Sequence, residues 1–302
     1  MTPKTYENII KLLDEDSLVQ LGEHYIMLGN GKVLPEGAPF FIRLAELGYI
    51  RYLRWAADCY NYGIGCEHDK TLAIRYYFES VLFEGSEIGK RTLKILCPEL
   101  EYYTGNNLIK RLTKTLLYGG KSEVEDAIVK VSELIMRGEI REYAREAAYI
   151  PLRRIYEGWS WDCPLKNYRI GECLLYGIGC ESNPFAAVPI LSDVVDDLEW
   201  TVEDIEQGDI DWIEGSFHTS SDYISALEEA RTMLVQAERE AERLFDPIEG
   251  YFHGGDIFEG TLDDYEDDRF ERFEKEKPPH RIKRAENACQ VPTFTGGVKT
   301  GT

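Results

Sequence analysis

The chain has 302 residues, 43% of them hydrophobic, with 55 acidic against 34 basic side chains and a formal net charge of -21 at pH 7. That much apolar material supports a folded core, and the acidity argues against nucleic acid and anionic membranes, which need a concentrated basic face. Basic proteins or peptides remain open as partners, while an acidic surface also serves solubility alone.

No apolar run reaches membrane-spanning length, and the start, MTPKTYENIIKLLDED, lacks the basic-then-apolar pattern of a secretory signal. Seven cysteines, an odd number, suit a reducing compartment. A cytoplasmic protein is expected.

In chain order, the first 16 residues hold an N-terminal helix: Thr2 can cap, Pro3 takes the first helical position, and Tyr6, Ile9, Ile10 and Leu13 share a face. Apolar stripes at helical spacing continue to about residue 200 with almost no period-two alternation, so the region reads as all-helical. The hexapeptide YGIGCE occurs twice, at 62–67 and 176–181. Aligning on its glycine pair exposes three units. The first opens LGEHYIMLGNG at Leu21 and closes at Gly48. The second runs IRYLRWAADCYNYGIGCEHD and KTLAIRYYFESVLFEG to Gly85. The last is NYRIGECLLYGIGCESN from Asn167, followed by PFAAVPILSDVV. Each is a helix, a Gly-x-Gly turn, a polar cap and a second helix. Asp69 and Asn183 are the expected N-caps, and Ala73 and Ala187 the small residues where paired helices meet. Between these units KRTLKIL with NNLIKRLTKTLLYGG reads as a third repeat. SEVEDAIVKVSELIMRG, with a capping box from Ser122 to Glu125, reads with EIREYAREAAYIPLRRIYEG as a fourth. The hexapeptide is therefore a repeat turn that returns, rather than a duplicated active site.

These residues resemble the Sel-one-like repeat family, relatives of the tetratricopeptide repeats. Its pattern is Leu-Gly-x-x-Tyr-x-x-Gly-x-Gly-Val, then Asp, Lys-Ala and an aromatic pair. Leu21, Gly22 and Tyr25 open the first unit, and Tyr60, Gly63, Gly65, Asp69, Ala73, Tyr76 and Tyr77 match in the second. Gly171, Gly177, Gly179 and Ala187 match in the last. Cys66 and Cys180 replace the usual valine, and Pro189 should kink the last second helix. The resemblance implies an all-α fold, a right-handed solenoid of antiparallel helix pairs over about 17–198. After it come an acidic capping segment and a long helix (199–245) and a largely disordered tail (246–302). That long helix should be capped near Ser221 and carry Ile224, Leu227, Leu234, Ala241 and Leu244 on one stripe. The tail reverses charge, from DDYEDD at 263–268 to HRIKR at 280–284.

No motif carries chemistry. Cys59 and Cys66 are seven apart, as are Cys173 and Cys180, whereas structural zinc takes cysteines two to four apart; buried packing thiols are the better reading. The family's secreted, cysteine-rich branch places its cysteines elsewhere in the repeat, so its reported activity does not transfer. DDYEDD lacks the glycine turn and terminal glutamate of a calcium loop. His218 and His253 stand alone in sequence, and GNGK at 29–32 is a repeat turn, too short for a phosphate loop. No metal, no cofactor and no enzymatic activity are expected. The resemblance implies protein–protein interaction, and a solenoid offers a concave groove lined by first helices. The groove candidates are Glu23, His24, Arg54, Asp58, Arg169 and Glu172. The alternative is an acidic inhibitor or immunity-type protein that masks a basic surface with residues 193–276. In a third arrangement the basic tail folds back onto the acidic body.

Overall fold

The computed structural model describes residues 10, 12–96, 107–157, 164–208, 216–246, 251–252 and 281–282. The chain divides into two compact units. One comprises residues 1–120, 141–143 and 280–302, and the other 121–140 and 144–279. Both are built from antiparallel helix pairs, so the all-α expectation holds.

In the first unit, α1 (Glu15–Gly29) starts where Asp14 accepts the Ser17 N–H at 2.8 Å, an N-cap with Glu15 and Asp16 in the first turn. It ends at Asn30 in the left-handed region. It pairs with α2 (Ala38–Glu46), and a short 3-10 turn, Ile50–Tyr52, leads into α3 (Leu53–Tyr62). The next hairpin is α3 with α4 (Lys70–Glu79), which runs into a single π turn, Ser80–Glu84, capped by Gly85. α5 (Glu87–Leu96) and α6 (Asn107–Tyr118) follow. The core collects Leu18, Phe40, Phe41, Leu44, Tyr52, Trp55 and Cys59. Phe41 lies 5.5 Å from the Trp55 ring, and Tyr25 stacks on Phe40 at 5.4 Å. Most of the expected N-terminal helix falls outside the described residues, but Ile10 is buried and Leu13 packs beside it.

In the second unit, α7 (Lys121–Met136) pairs with a 3-10 turn, Arg145–Ala148, that continues as α8 (Tyr149–Glu157). α9 (Pro164–Tyr176), α10 (Pro184–Gln207) and α11 (Ser220–Leu244) then pack in succession. A two-residue antiparallel pairing closes the unit, β1 (Phe245–Asp246) with β2 (Tyr251–Phe252).

Four local expectations shift. Ser122 lies inside α7, one residue past its start, instead of capping it. α10 runs for 24 residues through Pro189, so Leu198–Gln207 continues that helix instead of forming a separate cap. α11 is capped by Thr219, whose N–H and hydroxyl both donate to Asp222. Its buried face is Tyr223, Ala226, Leu227, Ala230, Met233 and Ala237, while Ile224 and Leu244 are exposed. Alanines four and seven apart let α11 lie close on α10, and that close approach outweighs the larger aliphatics of the expected stripe. The acidic run 263–268 and His253 lie outside the described residues.

Candidate functional site

The duplicated turn behaves the same way in both units. Gly63, Gly65, Gly177 and Gly179 all have φ between 64° and 79°, the left-handed region. The Ile64 N–H reaches back to the Cys59 carbonyl at 3.0 Å, and the Ile178 N–H to Cys173 at 2.9 Å. Asp69 then caps α4 through the Leu72 N–H, and Asn183 caps α10 through Ala186, as the alignment requires. Ala73 and Ala187 are fully buried. The second glycine of each pair has a further task. A Cβ on Gly65 would stand 2.4 Å from the Pro35 carbonyl oxygen, and one on Gly179 2.2 Å from that of Glu146. Each turn is thus pressed against the start of the preceding hairpin's second helix. Gly22 and Gly171 also occupy one repeat position, where a Cβ would meet Leu44 and Leu191 respectively within 2.8 Å.

The candidate binding carboxylates sit one residue after that helix-contact position, and all three are engaged. In the first unit, Glu23 accepts the Tyr52 hydroxyl at 2.8 Å and pairs with Arg51 at 2.8 Å. Asp58 accepts the Tyr77 hydroxyl at 2.5 Å and pairs with Arg54 at 2.9 Å. Burial pushes the Asp58 carboxyl above its ordinary value, against the opposing pull of Tyr77 and Arg54. Arg54 also lies over the Trp55 ring, 3.8 Å from its centroid. His24 is exposed, with its ring edge-on to Tyr25.

In the second unit, Glu172 accepts from Arg169 at 2.7 Å and pairs with Arg145 at 3.4 Å. Arg169 is only 13% exposed and turns its other nitrogens to Glu133 at 3.0 Å. It therefore belongs to a polar cluster that the sequence concealed. Glu133 is buried and also takes Lys130 at 3.1 Å. His218, whose side chain is fully buried, donates from Nδ1 to Asp126 at 2.7 Å and faces Glu133 through Nε2 at 3.3 Å. Asp126 also accepts the Phe217 N–H and the Ser216 hydroxyl. Burial disfavours the charged imidazole, but the two carboxylates outweigh it and raise the His218 pKa above its ordinary 6.5. Burial likewise opposes ionisation of Glu133, yet His218, Arg169 and Lys130 hold its carboxyl far below the usual range. The cluster pins the segment before α11 to α7. Its partners are about 90 positions apart in sequence, so no local signal announces it.

Cys59 and Cys173 are buried and Cys66 and Cys180 half-buried, all as free thiols. Burial pushes Cys59, Cys66 and Cys173 above the ordinary thiol value, as packing groups should be. Among the described residues no group of three or more His, Cys, Asp or Glu is placed to hold a metal ion, and no helix is long and apolar enough to cross a membrane.

No protein-family model matches the chain, and no curated protein matches it either. Among solved structures it is distantly similar to a protective antigen present in uropathogenic Escherichia coli strains that displays an SLR fold. The identity is 14% and the TM-score 0.26, over 82% of this chain. The chain spans 60% of the length of that protein.

Proposed function

We propose that this chain is a non-enzymatic helical-repeat adaptor that binds a protein or peptide, with a preference for basic partners. In each unit the binding positions lie on the first helices of the hairpins: Glu23, His24, Arg54 and Asp58 in the first unit, and Arg169 and Glu172 in the second. The observation that carries this reading is the recurrence of an arginine-paired carboxylate at one repeat position, in Glu23, Asp58 and Glu172. A partner's cation that displaces the resident arginine keeps the carboxylate paired, and the freed arginine is open to a carboxylate of the partner. The test is affinity capture with the full chain, washed at low and high salt, beside a variant carrying His24→Ala and Arg54→Ala. Asp58 keeps the Tyr77 hydroxyl in that variant, and far-ultraviolet circular dichroism checks that the fold is retained before capture is scored. Loss of the captured partner supports the assignment, and unchanged capture removes these residues from it.

A second reading is an acidic inhibitor that masks a basic surface with residues 193–276. It draws on α10, where burial together with neighbouring Asp193 and Asp196 raises the Asp197 carboxyl, a sign of crowded like charge. Such a complex dissociates in modest salt, whereas a groove contact anchored by aromatics persists.

A further inference from the structure

Residues Arg281 and Ile282 are far from the rest of the first unit in sequence yet lie against it. The Ile282 N–H donates to the Gly48 carbonyl at 2.7 Å, and Arg281 forms an antiparallel bridge with Tyr49. Ile282 is 2% exposed. The Arg281 guanidinium donates from Nε to the Leu47 carbonyl at 2.5 Å and from Nη1 to both Glu15 oxygens at 2.9 and 2.8 Å. It lies 5.7 Å from the Tyr49 ring centroid, and the Tyr49 hydroxyl donates to the same Glu15 carboxylate at 2.9 Å.

The receiving surface has the features of a peptide seat. Gly48 has φ +91°, and a Cβ there would fall 2.2 Å from the Ile282 carbonyl oxygen, so only glycine leaves the extended segment room to lie flat. The end of α2 offers the Leu47 and Gly48 carbonyls outward. Glu15, held by Tyr49, supplies a fixed carboxylate above them. Main-chain pairing, a buried position for the aliphatic side chain and a carboxylate together select an extended segment with arginine followed by an aliphatic residue.

We propose that Glu15, Leu47, Gly48 and Tyr49 form a docking site for an extended arginine–aliphatic segment. In this chain its own Arg281–Ile282 occupies the site, so a partner of the same chemistry binds there only by displacing it. The partner half rests on the adaptor reading above; the contact within the chain does not. Glu15 and Arg281 are both nearly half exposed, so their pair contributes modestly as it stands and opposes docking when either charge is reversed, while the buried isoleucine, the main-chain bonds and the hydrogen bond from Arg281 to the Leu47 carbonyl hold the segment.

The test is hydrogen exchange at the Ile282 amide in the full chain. Protection of at least tenfold over an unstructured peptide is expected, with loss of that protection in Ile282→Asp and in Arg281→Glu. Exchange at the unstructured rate in the wild-type chain would overturn the proposal. A peptide spanning residues 278–286 is then titrated into the Ile282→Asp chain and into wild type. A tethered segment has an effective concentration on the order of 1 mM, so tenfold protection corresponds to a Kd of roughly 0.1 mM. Binding to the Ile282→Asp chain, at least tenfold weaker to wild type and abolished by adding Glu15→Lys, is the expected result. Equal binding to both chains, or binding insensitive to Glu15, would place the peptide elsewhere and refute the site. Because neither measurement uses an external partner, a failed affinity capture with a protected Ile282 sinks the adaptor reading alone.

Discussion

The repeated turn makes a sharp demand on its two glycines, and alanine substitution separates them. At Gly177 an added Cβ meets nothing closer than 3.4 Å, and at Gly63 nothing closer than 3.6 Å. There Gly→Ala costs only the left-handed backbone conformation, about 1–2 kcal/mol. At Gly179 the same conformational cost is joined by contacts of 2.2 Å to the Glu146 carbonyl oxygen and 2.7 Å to the Tyr149 Cβ. At Gly65 the contacts are 2.4 Å to the Pro35 oxygen and 2.7 Å to the Ala38 Cβ. Backbone has to move, which adds about 1–3 kcal/mol. Gly179→Ala and Gly65→Ala should therefore cost roughly 2–5 kcal/mol each. Any gain from a stiffer unfolded chain is shared by all four variants and cancels within a pair. Urea unfolding followed by far-ultraviolet circular dichroism ranks them, and the order within each pair needs no two-state assumption. Equal shifts within a pair, or the first glycine proving more costly, would refute the view that these turns seat each hairpin on the one before it.

The remaining expectations concern side chains. His218→Ala should destabilise the second unit by about 3 kcal/mol, since it breaks a buried ion pair; calorimetry checks this. Because the folded His218 pKa is raised, its contribution is fully present below pH 6.5 and is lost as pH rises through the folded value. Asp126 and Glu133 are depressed, so theirs is present above about pH 4.5 and is lost on acidification. Wild-type stability should thus fall as pH rises above 6.5, and His218→Ala should flatten that limb; an unchanged slope would remove His218 from the account. Thiol labelling at pH 8, mapped by mass spectrometry, should leave Cys59 and Cys173 unmodified in the folded chain and label them after denaturation. Rapid native labelling of either would contradict their packing role.

The helix pairs were legible because they are local and periodic. Gly-x-Gly, a capping Asp or Asn and a small residue four positions later recur at fixed spacing, and each is demanded by backbone geometry. The shifts arose where tertiary contact outweighs local pattern. α11 turns its alanines inward because close approach to α10 requires small side chains, a preference no hydrophobic stripe encodes. α10 continues through Pro189 to Gln207, past the end of the repeat expected near residue 198. The candidate binding residues were legible as positions but not as partnerships. Glu23, Asp58 and Glu172 stand at one repeat position, whereas Arg51, Tyr52 and Tyr77 reach them from later elements and Arg145 reaches Glu172 from an earlier one. His218 appeared solitary because Asp126 and Glu133 meet it only after α7 and α11 have packed.

The most direct test of the adaptor account is hydrogen exchange of the full chain with and without a captured partner. New protection on α1, α3 and α9, centred on Glu23–His24, Arg54–Asp58 and Arg169–Glu172, is the expected result. Protection confined to the acidic face of α10, with those three helices unchanged, would contradict the account and favour an acidic inhibitor.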